Sequence, residues 1–253
     1  MNRFARPALG VVLFLTALGA VPAQTAIRVV ATNSWTAALA TAAGATDVVT
    51  LAPSGLRHPA EYELKPSDLV SLQGVDLIVS TGFEVMAKKL AEAAGNQKTR
   101  TLQIGADYSL ATMRASLTAI AEITGTAVFA RKSIADIEAF MTAWKTELRA
   151  AKVFGSPIVV HVFQQPLMAE LGFDVRGVFG PAPLEAAQIT KLSGETVRFI
   201  VDNWHNEVAS PLGETLKTAK LVSLINFPGP AGTKSLLDVL AENRARLKAA
   251  AGY

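Results

Sequence analysis

A chain of 253 residues, half of them apolar, is long enough for one large domain or two small ones. Its formal charge of +3 falls to +1 once Arg3 and Arg6 are set aside, because no acidic residue precedes position 24. That balance lacks the clustered basic face of a nucleic-acid binder. There is no cysteine, which excludes disulfides, a thiol nucleophile and thiolate metal sites, and leaves imidazole, carboxylate, amide or water as metal ligands.

The first segment reads as an address. Arg3 and Arg6 form a short cationic start, Ala8 to Val21 is an apolar run, and Val21-Pro22-Ala23 supplies small residues for cleavage after Ala23. This is the tripartite pattern of a secretory signal. The run is shorter than the roughly 20 residues of a spanning helix, and no cysteine stands at the cleavage point to carry a lipid. A soluble, monomeric, periplasmic protein is expected, with residues 1–23 removed.

Beyond it, short β-rich runs alternate with helical patterns. Ile27 to Ala31 predicts a buried strand, Trp35 to Ala43 a helix capped by Asn33 or Ser34, and Val48 to Leu51 a second strand ended by Pro53-Ser54-Gly55. Pro66-Ser67-Asp68 opens a short helix before a third strand, Asp76 to Ser80, and helices follow over 84–94 and 111–123. Ser133 and Asp136 resemble a capping box, after which Ile134, Ile137, Phe140, Met141, Trp144 and Leu148 recur at helical spacing to about Lys152. After Gly155 the rhythm resumes, with strands at 157–160, 199–201 and 221–224 and helices at 166–171, 183–192 and 234–250. Strands alternating with helices predict parallel βα units. The expected fold is α/β, with lobes at 24–130 and 154–253 joined by a long rigid helix at 131–153.

All three histidines, His58, His161 and His205, fall where predicted strands end. Ligands of open parallel sheets bind in the crevice at the carboxyl ends of strands, and neutral imidazole is the commonest transition-metal ligand. His58 belongs to the first lobe and the other two to the second, so a cleft between lobes gathers all three.

Val30-Ala31-Thr32-Asn33-Ser34-Trp35, Leu51-Ala52-Pro53-Ser54-Gly55, Tyr62 to Asp68 and Asp76 to Glu84 resemble the first lobe of cluster A-I solute-binding proteins. These are the zinc- and manganese-binding components of ATP-driven importers. His161 through Phe173 is similar, without a gap, to the family segment that starts at a metal histidine, and Pro183-Leu184-Glu185 resembles its next helix start. The resemblance implies two lobes, a rigid linking helix, a metal-ion cargo and an ABC-transporter permease as partner.

The departures are equally specific. Ala60 stands where the family has its first histidine, Thr99 to Asp107 contains none, and Leu224 to Gly229 lacks the family's late carboxylate. Two readings stay open. In one, the site is rebuilt from His58, His161 and His205, completed by Glu61, Asp202 or water, and takes Zn2+, with Cu2+ or another divalent transition metal also accommodated. In the other, the cleft holds a metal chelate or small organic solute against Tyr62, Phe163, Trp204 and Phe227. A periplasmic metal chaperone on the same scaffold is a third use. Catalysis is not expected: there is no Gly-x-Ser-x-Gly elbow and no glycine-rich phosphate loop.

Overall fold

Strand β1 (Arg28–Ala31) lies at the centre of the first sheet because its valines are wholly buried on both sides of the chain direction. In a computed structural model that describes residues 27–94 and 98–253, it pairs in parallel with β2 (Asp47–Thr50) and β3 (Leu77–Ser80). β4 (Arg100–Gln103) completes the order β2-β1-β3-β4. Helix α1 (Ser34–Ala42) starts as the sequence predicts: Asn33 Oδ1 accepts from the backbone N–H of Trp35 and Thr36, satisfying two donors of the first turn. α2 (Pro66–Val70), α3 (Ala87–Ala94) and α4 (Leu110–Thr124) finish the lobe. The expected signal segment lies outside the described residues.

α5 (Ala127–Ala150) has 24 residues, about 36 Å at 1.5 Å per residue. It begins six residues before Ser133, which corrects the capping-box reading. Ser133 sits inside the helix and donates its hydroxyl to the Ala42 carbonyl at 2.7 Å, while Asp136 pairs with Lys132. Ile137, Met141, Trp144 and Leu148 face inward as the spacing predicts.

The second lobe repeats the first lobe's topology. β5 (Pro157–His161), β6 (Asp174–Phe179), β7 (Phe199–Asn203) and β8 (Lys220–Leu224) form a parallel sheet in the order β6-β5-β7-β8. α6 (Gln165–Glu170), α7 (Ala186–Ser193), α8 (Ser210–Thr215) and α9 (Leu236–Ala251) surround it. Of these elements β4, β6 and α8 were not expected. β4 and β6 are edge strands, where half-solvated side chains need no apolar run, and α8 is a short turn carrying Pro211 and Gly213.

One hydrophobic cluster spans both lobes. It runs from Val29, Leu39 and Leu77 through Met141 and Trp144 of α5 to Ile158, Phe199 and Leu240. α9 of the second lobe packs on α1 of the first. The backbones also meet directly: a Cβ added to Gly229 (φ +136°) would lie 1.8 Å from the Ser54 carbonyl oxygen. Only glycine permits that approach.

Candidate functional site

The carboxyl ends of both sheets face one another across a cavity of about 310 Å³. Arg57, His58, Glu61 and Phe83 line it from the first lobe; Phe163, Asn203, His205, Asn206, Asn226 and Phe227 line it from the second. Its position follows from chain direction, since the loops after β2, β3, β5, β7 and β8 all open towards it.

The histidines are held in different ways. His58 is exposed beside the 3-10 turn Pro59–Glu61, and Glu61 is exposed at the end of that turn. His205 follows β7, is 3% exposed, and packs edge-on between the rings of Trp204 and Phe227 at 4.9 Å from each. Its Nδ1 accepts from the Asn226 backbone N–H at 3.2 Å. An amide N–H can only donate, so the neutral ring carries its hydrogen on Nε2. That Nε2 is buried and has no partner among the described residues. Burial, followed by the charges of Arg57, His58 and Arg246, pushes the His205 pKa down to about 3.

His161 is the last residue of β5 and is fully buried. Its Nδ1 accepts from the Phe163 N–H at 3.1 Å, which again places the hydrogen on Nε2, and Nε2 donates to Asn206 Oδ1 at 3.0 Å. Gly180 closes over the ring: a Cβ there would lie 2.5 Å from Nε2. Burial lowers the His161 pKa, outweighing the opposing effects of Asn206 and Asp202, so the imidazole is neutral near pH 7.

Asp202 serves the backbone. Its carboxylate accepts from the N–H groups of Asn203 (2.8 Å), Val208 (3.1 Å) and Ala209 (2.9 Å), tying down the turn after β7. The expected ligand set therefore divides. His58, Glu61 and His205 share the cavity, whereas His161 and Asp202 are not among the residues that line it. Among the described residues, no three His, Asp or Glu side chains come together as a metal-holding group.

A network of amides stands where that cage was expected. Gln164 Nε2, with two hydrogens to give, lies 3.2 Å from both the Leu224 carbonyl and Asn203 Oδ1 and also contacts Asn226 Oδ1, so one hydrogen is shared. A carbonyl can only accept, so this contact fixes the Gln164 amide and, through it, turns the oxygens of Asn203 and Asn226 inward. Asn203 Nδ2 is left buried without a partner among the described residues. The sequence signal for these residues was their position, since Asn203 and Asn206 stand on either side of His205 and Asn226 follows β8.

Arg57 joins the walls. Its Nη2 donates to the Trp204 carbonyl at 2.7 Å and to Glu207 at 2.8 Å, and its guanidinium lies 4.8 Å over the Trp204 ring. In the first lobe, buried Glu84 accepts from Thr32, Asn33 and the backbone of Thr81 and Gly82, fixing the ends of β1 and β3 beneath the rim.

Two parallel-sheet lobes on a common helix, with a cleft at the strand ends, define the architecture. Solved structures share this fold. The laminin-binding protein Lbp of Streptococcus pyogenes superposes with a TM-score of 0.65 at 17% identity, over 87% of this chain and 97% of that one. The Mn-bound periplasmic metal binding protein from Candidatus Liberibacter asiaticus gives 0.64 at 18% identity, over 89% and 99%. Its Cd-bound form gives 0.65 at 18% identity with the same coverage. The chain has the two-lobed fold of these proteins. No protein-family model matches it, and no curated protein does.

Proposed function

We propose that this chain is an exported, periplasmic solute-binding protein that captures a small cargo between its lobes and passes it to the permease of an ABC-type importer. The observation that carries this reading is the cleft: about 310 Å³, walled by both lobes, at the carboxyl ends of their strands. Binding rather than turnover is supported by the two buried imidazoles, whose Nδ1 lone pairs are already engaged by backbone amides. A general base needs a lone pair within reach of the proton it takes.

The fold likeness supports a divalent transition metal as the cargo class. His58, Glu61 and His205 line one cavity, and an imidazole-rich set suits Zn2+. For a bare ion to bind His205, however, the ring must give up either its Nε2 hydrogen or its bond to the Asn226 amide. The cavity geometry therefore favours metal arriving as a complex with an organic ligand, or an organic solute alone.

The test is elemental and organic mass spectrometry on the protein purified from the periplasm. A stoichiometric small molecule, with or without metal, is the expected result. One equivalent of zinc with no organic component would establish the bare-ion reading instead. A protein that never carries or binds any small solute would remove the transport role.

A further inference from the structure

The second-lobe wall of the cleft presents hydrogen-bond donors, oriented by contacts with the backbone and with one another. The Phe163 and Asn226 amides fix the hydrogens of His161 and His205 on Nε2. His161 Nε2–H then takes Asn206 Oδ1, so the Asn206 NH2 faces elsewhere. The Leu224 carbonyl fixes Gln164, which takes the oxygens of Asn203 and Asn226 and leaves their NH2 groups. Asn203, His205, Asn206 and Asn226 all line the cavity.

Two of these donors have no partner among the described residues: Nδ2 of Asn203, which is 1% exposed, and Nε2 of His205, which is 3% exposed. A buried donor without a partner costs about 1–3 kcal/mol, so such groups mark a place where a ligand supplies acceptors. Resting on the reading that the cleft is the cargo site, we propose that this wall is a donor cradle for the carboxylate of a small organic solute, free or as the ligand of a divalent metal.

The chemistry selects a carboxylate among acceptors. It offers two oxygens with about four lone-pair sites, a match for several N–H groups on one wall, and charge-assisted bonds are roughly twice as strong as neutral ones. Phe163 and Phe227 give the rest of the solute an apolar surface on the same side. On the opposite wall, His58 and Glu61 face the cavity, where they suit a metal held by the solute or an ammonium group on it.

The experiment uses thermal shift and calorimetry on the full mature chain. Picolinate, nicotinate, citrate and histidine are tested alone and with Zn2+, alongside ZnSO4 alone and nicotinamide. Picolinate and nicotinate have the same size, but only picolinate chelates, so the pair separates the chelate from the free acid. Stabilisation by at least one carboxylate is expected, with none from Zn2+ alone or nicotinamide. Asn206→Asp replaces a donor by an oxygen while still accepting from His161, and should weaken that binding at least tenfold. Asn206→Ala, which adds no charge, should weaken it in the same direction, and ligand-free melts of both variants report folding. Tight binding of Zn2+ alone, retained or strengthened in Asn206→Asp, would overturn the cradle while keeping the solute-binding role. Failure of every carboxylate would overturn it too, and any other solute co-purifying with the protein would then preserve the transport reading.

Discussion

Replacing Gly229 by alanine tests whether the lobes are held by direct backbone contact. The new Cβ would stand 1.8 Å from the Ser54 carbonyl oxygen, where ordinary contact begins at 3.4 Å, and the residue has φ +136°. Forcing an atom into a filled space costs about 1–3 kcal/mol, and holding a non-glycine residue in that backbone region adds about 1–3 kcal/mol. The sum, about 4 kcal/mol, should lower Tm by about 8–16 °C for a chain of this size. Gly232, in the same turn, has φ +74° and open space around its Cβ position. Gly232→Ala should therefore lose only the left-handed backbone cost, about 1–2 kcal/mol. Circular-dichroism melts of the two variants, side by side, separate contact from strain. A Gly229→Ala protein that melts no lower than Gly232→Ala would mean that the backbone contact holds nothing.

Three further outcomes follow from the site. His205 has a folded pKa of about 3 against an ordinary 6.5; above pH 6.5 both states are neutral, and as pH falls only the unfolded state takes the proton. Stability should thus decline from about pH 6.5 to about pH 3, with a slope of at most about 1.4 kcal/mol per pH unit. Urea titrations at pH 4, 5.5 and 7.5 should show that slope reduced in His205→Gln, and an equal slope would refute it. Asp202→Asn weakens a carboxylate that serves three backbone amides and should lower stability by about 1–3 kcal/mol; an unchanged melt with lost metal affinity would instead make it a ligand. Arg57→Ala removes an exposed inter-lobe contact, so stability should change by less than about 1 kcal/mol. Amide exchange over 204–207 should accelerate, and unaltered protection there would count against the bridge.

The central strands were legible because burial on both faces writes itself as continuous apolar sequence, as in Val29-Val30-Ala31 and Ile158-Val159-Val160. β4 and β6 were not, since Arg100, Gln103, Asp174 and Arg176 interrupt any apolar run there, whereas the other edge strands keep Val48-Val49 and Leu221-Val222. The start of α5 was hidden for the opposite reason. Val128 and Phe129 are 68% and 61% exposed, so apolar residues there fall on the solvent side and break the helical period. The histidines' place at the strand ends could be read directly. Their tautomers could not, because these depend on amide donors from Phe163 and Asn226, the latter 21 residues from His205. Asp202 illustrates the general limit: a carboxylate after a strand looks the same in sequence whether it holds a cation or three backbone N–H groups.

The hydrophobic cluster that passes from the first sheet through α5 into the second has a thermodynamic consequence. Because this shared cluster joins the lobes, they should melt as one cooperative unit, and neither should persist when the other unravels. Whatever occupies the cleft is then coupled to the entire unfolding equilibrium. A ligand at a hundred times its Kd adds about 2.7 kcal/mol to the folded state, and that increment should displace a single transition without splitting it. The molecule is in this sense its own reporter: one melting curve registers an event confined to a few side chains between the sheets.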